Sequence, residues 1–311
     1  MKKRNELIKN RSYYLMMLPA LIVFILFAYA PLPGLVLAFK NYDFAKGIFG
    51  SPWNGLKNFK FYFYTSNWSR TTFNTLWINF NNTLWETVIA VAFAIFLNEI
   101  ANKFFKRTFQ ILIFLPYFFS AVIISRFIYM FFNTDYGIVN QMVTLFGGEA
   151  VPWYMEPRHW VKILVTASVW KYEGYSVIIY LASIAGIDSE QFEAADIDGA
   201  NRFQQIWHVL LPNLATTIII LNLLSIGRFF FGNFELIYAV TGQYGLLLPK
   251  TDIIETFIYR AVYSGGQALG GGGGDFGQLT AVGLYQSVVG MVLVLGSNLL
   301  VRRYNRDAAL F

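Results

Sequence analysis

Between Asp188 and Arg202 the chain sets five carboxylates, those of Asp188, Glu190, Glu193, Asp196 and Asp198, against one base, Arg202. Ala194, Ala195, Gly199 and Ala200 alternate with them, so another chain's backbone could come close to this stretch. The chemistry on offer is recognition: a small acidic knob suits a basic cleft. Asp188 or Ser189 can cap a helix, and Gln191 stands three residues after Asp188, as a capping box requires. Gly199 supplies a helix stop. The spacing therefore predicts a short exposed helix of about three turns. Acidity alone would equally describe a solvated loop.

A second group of residues is ionic but sits in apolar surroundings. Arg126, Lys171, Glu173 and Arg228, with Glu86, fall inside or beside long hydrophobic runs. Such residues are costly in lipid and face a protein interior or an aqueous path. A substrate path and ion pairs between neighbouring helices both fit them. Trp170, Tyr172 and Tyr175 flank Lys171 and Glu173 and could stack on sugar rings, while Asn79, Asn81, Asn82 and Asn222 could bond hydroxyls or join helices. Most of the aromatic supply belongs to core, lipid face and interfacial belts.

Several chemistries are absent. With no cysteine and only His159 and His208, the sequence has no thiol nucleophile, disulfide framework or His-rich metal centre, and no metal site is expected. It carries neither a G-x-x-x-x-G-K-[ST] phosphate loop nor an H-E-x-x-H zinc motif. Gly272, Gly274 and Asp275 match a glycine-x-glycine-aspartate pattern, but an intramembrane aspartyl protease needs two carboxylates sharing a proton, and no aspartate falls within an apolar run.

The elements that must position these residues are membrane helices. Of 311 residues 56% are hydrophobic and 14% are charged, against about 25% charged in soluble domains. A net charge of +6 could mean nucleic acid in a soluble protein, but here it decorates the flanks of membrane spans. Six apolar runs are expected to cross: 13–39, 80–97, 108–132 with Pro116 inside it, 161–187, 214–231 and 279–301. The fold class is thus an all-α membrane protein of about six transmembrane helices. Residues 1–12 form an amino-terminal segment, 13–301 the membrane domain with the acidic loop at about 188–212, and 302–311 a tail. The clusters Lys103/Lys106/Arg107 and Arg302/Arg303/Arg306 place both termini in the cytoplasm. The first run is expected to stay as an uncleaved span, and the glycines 270–274 to act as a flexible connection.

Reading on from Glu193, the chain has Glu193-Ala194-Ala195, three residues, Gly199, nine residues, then Val209-x-Leu211-Pro212. This resembles the EAA signature of permease subunits of binding-protein-dependent ABC importers, departing from it in Val209, where isoleucine is usual. The opening Tyr13–Pro19, the stretches Pro31–Gly34 and Ala38–Tyr42, Leu56–Phe59, Leu115–Tyr117, and Thr280–Tyr285 with Ser287–Gly290 resemble the carbohydrate-uptake branch, its polysaccharide-type permeases above all.

The resemblance implies a type I importer permease fold whose acidic loop is a coupling helix docked on a cytoplasmic ATPase. The contact would rest on Glu193, Ala194, Ala195, Asp198, Gly199, Ala200, Leu211 and Pro212. It further implies a second homologous permease as heterodimer partner and two copies of the ATPase, which hold the ATP and magnesium. An extracellular lipid-anchored binding protein, a carbohydrate cargo and the membrane of a bacterial cell complete the expectation. No nucleic acid, no catalytic residue and no cofactor bound by this chain are expected. The candidate path residues are Arg126, Trp170, Lys171, Tyr172, Glu173, Asn222 and Arg228. The competing class is a secondary transporter or channel without an ATPase, which broken half-helices in both halves of the chain would favour.

Overall fold

The computed structural model of the protein describes residues 10–263 and 276–304. The glycine tract, Asp275 and the extreme amino-terminal lysines lie outside the described residues. The main helices are α1 (Arg11–Phe24), α2 (Ser66–Glu99), α3 (Lys103–Phe114), α4 (Ala121–Phe132), α5 (Trp160–Ala185), α6 (Ser189–Ile197), α7 (Leu211–Ile226), α8 (Phe234–Thr241), α9 (Ile254–Tyr263) and α10 (Phe276–Tyr304).

The chain divides into two compact units, residues 1–64 with 261–285, and residues 65–260 with 286–311. In the first, α1 runs on through a wider π turn at Ile25–Tyr29 and a 3-10 stretch at Leu32–Phe39. Pro31 has no N–H to donate, and the loosened turn precedes it. No residue of 11–29 is buried. Beyond it, Asn58 donates to the carbonyls of Ala38 and Lys40 (3.0 and 2.8 Å), and Phe39 stacks on Trp53 at 5.7 Å.

The second unit is organised around α5. Ala90, Ala94 and Leu97 of α2, Val177, Tyr180 and Ile184 of α5, and Leu210 and Leu214 beside them form one apolar cluster. Ile78, Ile124, Ile128, Ile163, Leu164, Leu236 and Ile237 belong to the other. Gly174 lets α3 cross directly over α5: an added Cβ would strike the backbone carbonyl oxygen of Ile113 and the Cα of Phe114. Asp252, fully buried, accepts from Arg70 (3.1 Å), Arg260 (2.7 Å) and Thr256 (2.8 Å) and fixes the start of α2 to the approach to α9.

Among the described residues, four helical stretches are long and apolar enough to cross a membrane: Arg11–Phe39, Ser66–Glu99, Arg202–Ile226 and Phe276–Arg303. The stretch expected as a continuous span at 108–132 is instead two pieces, Lys103–Phe118 and Ala121–Phe132, bent by 101°. Pro116 ends the first in a 3-10 turn, Phe119 and Ser120 turn extended, and the Ser120 hydroxyl caps α4 by accepting from the Ile123 N–H. The expected span at 161–187 forms the helix α5, but with Lys162, Lys171 and Glu173 it is not among the stretches apolar enough to cross. Lys171 and Glu173 are buried in protein, so α5 need not meet lipid on every side. The second span begins 14 residues earlier than the apolar run suggested, because its polar first turns hide Thr71, Asn74 and Thr75 inside the protein.

The crossing at Gly174 yields a test. Gly174→Ala should destabilise the purified protein by about 1–3 kcal/mol through overpacking against a backbone that cannot give way. Gly296→Ala, whose new Cβ meets nothing within 4 Å, should leave the melting temperature unchanged or raise it. Equal melting temperatures for the two variants would contradict the crossing.

Candidate functional site

The acidic loop folds as a capped helix, α6. Asp188 caps it by accepting from the Glu190 N–H at 3.0 Å, and the Ala200 N–H closes its far end on the Ala195 carbonyl at 2.9 Å. That closure requires the left-handed backbone of Gly199, whose φ is +76°. Glu193, Ala194, Asp198 and Gly199 are exposed, and Ala195 and Ala200 partly so. Ile197, 87% exposed, adds an apolar knob beside the acids, with Phe203 and Trp207 nearby in sequence and also exposed.

The capping box expected from Asp188 and Gln191 does not form. The Gln191 side chain instead accepts from the Asn213 amide at 2.8 Å, tying α6 to α7. A complete box stands just past the end of α6: Asn201 accepts from the Gln204 N–H (2.9 Å), and Gln204 accepts from the Asn201 N–H (2.8 Å). Gln205, 3% exposed, donates to Asp196 (2.5 Å) and to the Ala200 carbonyl (3.3 Å) and accepts from Arg202 (3.0 Å). Above the loop, the hydroxyls of Ser183 and Thr217 pair at 2.8 Å between α5 and α7. The helix is therefore clamped to the span that follows it, and that span is bonded in turn to α5. A π turn at Ile206–Leu210 absorbs the N–H that Pro212 lacks, and Leu211 and Pro212 sit at the start of α7.

Gln205 was not legible as special in the sequence. Its signal is faint: a long amide one residue past a capping box, in a loop with a carboxylate to spare.

The other candidate residues occupy different surroundings. The Lys171 ammonium donates to the carbonyls of Tyr117 and Phe119, satisfying backbone groups freed where the bent span breaks. Asn222 accepts from Thr87 at 3.1 Å and donates to the Ile218 carbonyl, joining α7 to α2. Trp170 and Glu173 line a cleft of about 1250 Å³ between α2 and α5, together with Trp77 and Trp85. Tyr175, exposed, stacks on Tyr117 at 5.8 Å, and Tyr172 meets the edge of the same ring at 6.3 Å. Arg126 and Arg228 are both exposed. Among the described residues no group of three or more His, Cys, Asp or Glu could hold a metal ion.

Residues 86–306, which contain the clamped helix and the spans on both sides of it, match the family described as binding-protein-dependent transport system inner membrane component. The chain belongs to this family. It is 33% identical over 299 residues to protein LplB of Bacillus subtilis, covering 96% of this chain and 91% of that one. It is 34% identical over 307 residues to the polygalacturonan/rhamnogalacturonan transport system permease protein YteP of the same organism, covering 97% and 91%. Among solved structures it is similar to a chain of a bacterial ABC transporter involved in the import of the acidic polysaccharide alginate. There the TM-score is 0.86 at 29% identity, over 98% of this chain and 100% of the other. A chain of a bacterial alginate ABC transporter in complex with an alginate pentasaccharide-bound periplasmic protein gives 0.85 at 29% identity, over 96% and 97%. The fold is the all-α, type I ABC permease fold, and the protein is a membrane permease subunit of a binding-protein-dependent importer.

The bracing generates a prediction. Gln205→Leu keeps the volume but removes three hydrogen bonds of about 1 kcal/mol each. Amide hydrogen exchange should quicken by tenfold or more across residues 195–205 while the middle of α5 is unchanged. Unaltered exchange in the loop would show that Gln205 does not brace it.

Proposed function

We propose that this permease forms, with a second related permease, the membrane path for an oligosaccharide handed over by an extracellular, lipid-anchored binding protein. Two copies of a cytoplasmic ATPase, which carry the ATP and magnesium, drive the cycle by gripping α6. The observation that carries this reading is the construction of α6: a short, exposed, acidic helix capped at both ends and hydrogen-bonded to the span that follows it. A closing ATPase dimer can move membrane helices only through a lever that holds its shape in both halves of the cycle. Glu193 pairs with a basic residue of the ATPase, the small side chains of Ala194, Ala195 and Ala200 let the two backbones approach, and Asp198 and Gly199 form the turn. Leu211 and Pro212 start the span that receives the push.

The positive clusters Lys103/Lys106/Arg107 and Arg302/Arg303 support an orientation with α6 and both termini in the cytoplasm of a bacterial cell. The carbohydrate cargo is supported by the names of the relatives, YteP among them. A secondary transporter would present broken helices in both halves, and among the described residues one bent pair is found.

Glu193→Lys brings like charges together at the proposed contact, a cost of several kcal/mol. In reconstituted importer, uptake and binding-protein-stimulated ATP hydrolysis should fall at least about tenfold, with the permease pair still assembled. Wild-type coupling in that variant would overturn the assignment of Glu193.

A further inference from the structure

Lys171 and Glu173 are both buried in α5, yet they stand on opposite sides of it, since two residues turn an α-helix through about 200°. Lys171 has its acceptors at the break in the bent span. Glu173 lines the cleft between α2 and α5 and makes no hydrogen bond or ion pair among the described residues. Across the cleft floor, Glu86 of α2 accepts from the Ser176 hydroxyl at 3.0 Å and lies within electrostatic reach of Glu173, so two acids stand together there. The bases that line the same cleft, Arg158, Lys162 and Lys250, belong to its other end. Lys162 is about 16 Å back along α5 from Glu173. Lys250 follows Pro249, whose carbonyl accepts from Asn74, about 18 Å along α2 from Glu86.

The cleft has the dimensions of a helix face. It runs along α2 from Phe73 to Phe93, about 30 Å of helix, which is one crossing of the hydrocarbon. Its volume of about 1250 Å³, spread over that length, holds the side chains along one face of a helix, and Trp77, Trp85, Val88 and Trp170 are exposed on its walls. Lipid tails would meet the tryptophans well and the carboxyl badly, because an acid at membrane depth is costly against hydrocarbon and pairs with an opposite charge. Of the partners proposed above, the ATPase and the binding protein work outside the bilayer. The second permease is the one that brings helices to this depth.

We infer that the cleft between α2 and α5 is a contact face for the second permease, which lays an apolar helix along it and sets a lysine or arginine of that helix against Glu173. The pair makes the joint selective: a permease without the base would leave a buried charge unpaired, and one with an acid there would be repelled. This inference rests on the importer reading above and identifies the face and the charge by which its two permeases recognise each other.

The absence of cysteine gives a clean background for the test, made in the complete importer with the cysteines of its other subunits removed. Val88→Cys, on the wall of the cleft, should form a disulfide with single cysteines of the second permease that recur every three or four residues along one helix. Glu173→Lys should cut recovery of the second permease with the tagged chain at least about tenfold, and Glu173→Gln should cut it less. Changing the facing base of the crosslinked helix to glutamate should restore pairing with Glu173→Lys. Such rescue separates pairing from a folding defect, which no change in another chain repairs. Wild-type recovery with Glu173→Lys, or a crosslinked helix that carries no lysine or arginine opposite Glu173, would overturn the inference. So would a Val88→Cys thiol that forms no disulfide with the second permease and reacts instead with a lipid-phase maleimide, which would put lipid in the cleft. If no second permease accompanies the wild-type chain at all, it is the importer reading that fails.

Discussion

A helix that buries a lysine and a glutamate among apolar neighbours must satisfy them with other protein groups, and α5 sets the terms for the second unit on that account. Its Lys171 and Glu173 are buried, and Lys171 spends its protons on carbonyls left open by the break in the neighbouring bent span. Gly174 removes the side chain that would hold α3 away. Placing the charge and the glycine three residues apart brings both onto one side of the helix, so that the break is satisfied and the crossing is close at the same level. Without that fit, a 101° bend would strand unpaired carbonyls in an apolar medium, which costs several kcal/mol for each group.

From α5 the chain passes straight into the acidic helix, and the mechanical argument follows from what holds the two together. Tyr180 and Ile184 pack with Leu210 and Leu214, so the spans on either side of the loop share one apolar cluster. Ser183 with Thr217 joins the two spans, and Gln191 with Asn213 and Gln205 with Asp196 tie α6 to the segment that follows it. Each is worth about 1 kcal/mol, which is small against folding. Their use lies in position, since together they leave α6 few ways to tilt independently of the spans.

The sequence disclosed the loop better than the spans. Acid spacing, an aspartate cap and Gly199 are local signals, and the helix they predict is the one that forms. What depended on distant partners was not legible. Gln191 was free to cap its own helix but met Asn213, 22 residues away, and the box moved to Asn201 and Gln204. Pro116 marked a disturbance in the third apolar run, yet a proline alone does not tell a kink from a right-angle turn. The size of the bend is set by the extended residues Phe119 and Ser120 and by Lys171, which comes from another helix. Hydropathy also cut α2 short, because polar residues such as Asn74 count against a span even when the protein shelters them. Arg126, Arg228 and Glu173 were visible as anomalies from the start. Which of them is buried and which exposed is a fact about side-chain placement, which no one-dimensional pattern records.

The central claim is that α6 and α7 move as one body when the ATPase closes. Spin labels at the exposed positions Ser189 of α6 and Leu224 of α7, introduced as cysteines, report on it by pulsed dipolar spectroscopy in the assembled importer. The account predicts one narrow distance distribution that is the same without nucleotide and with ATP trapped. A distribution that shifts or broadens on ATP trapping, in a complex that still transports, would contradict it.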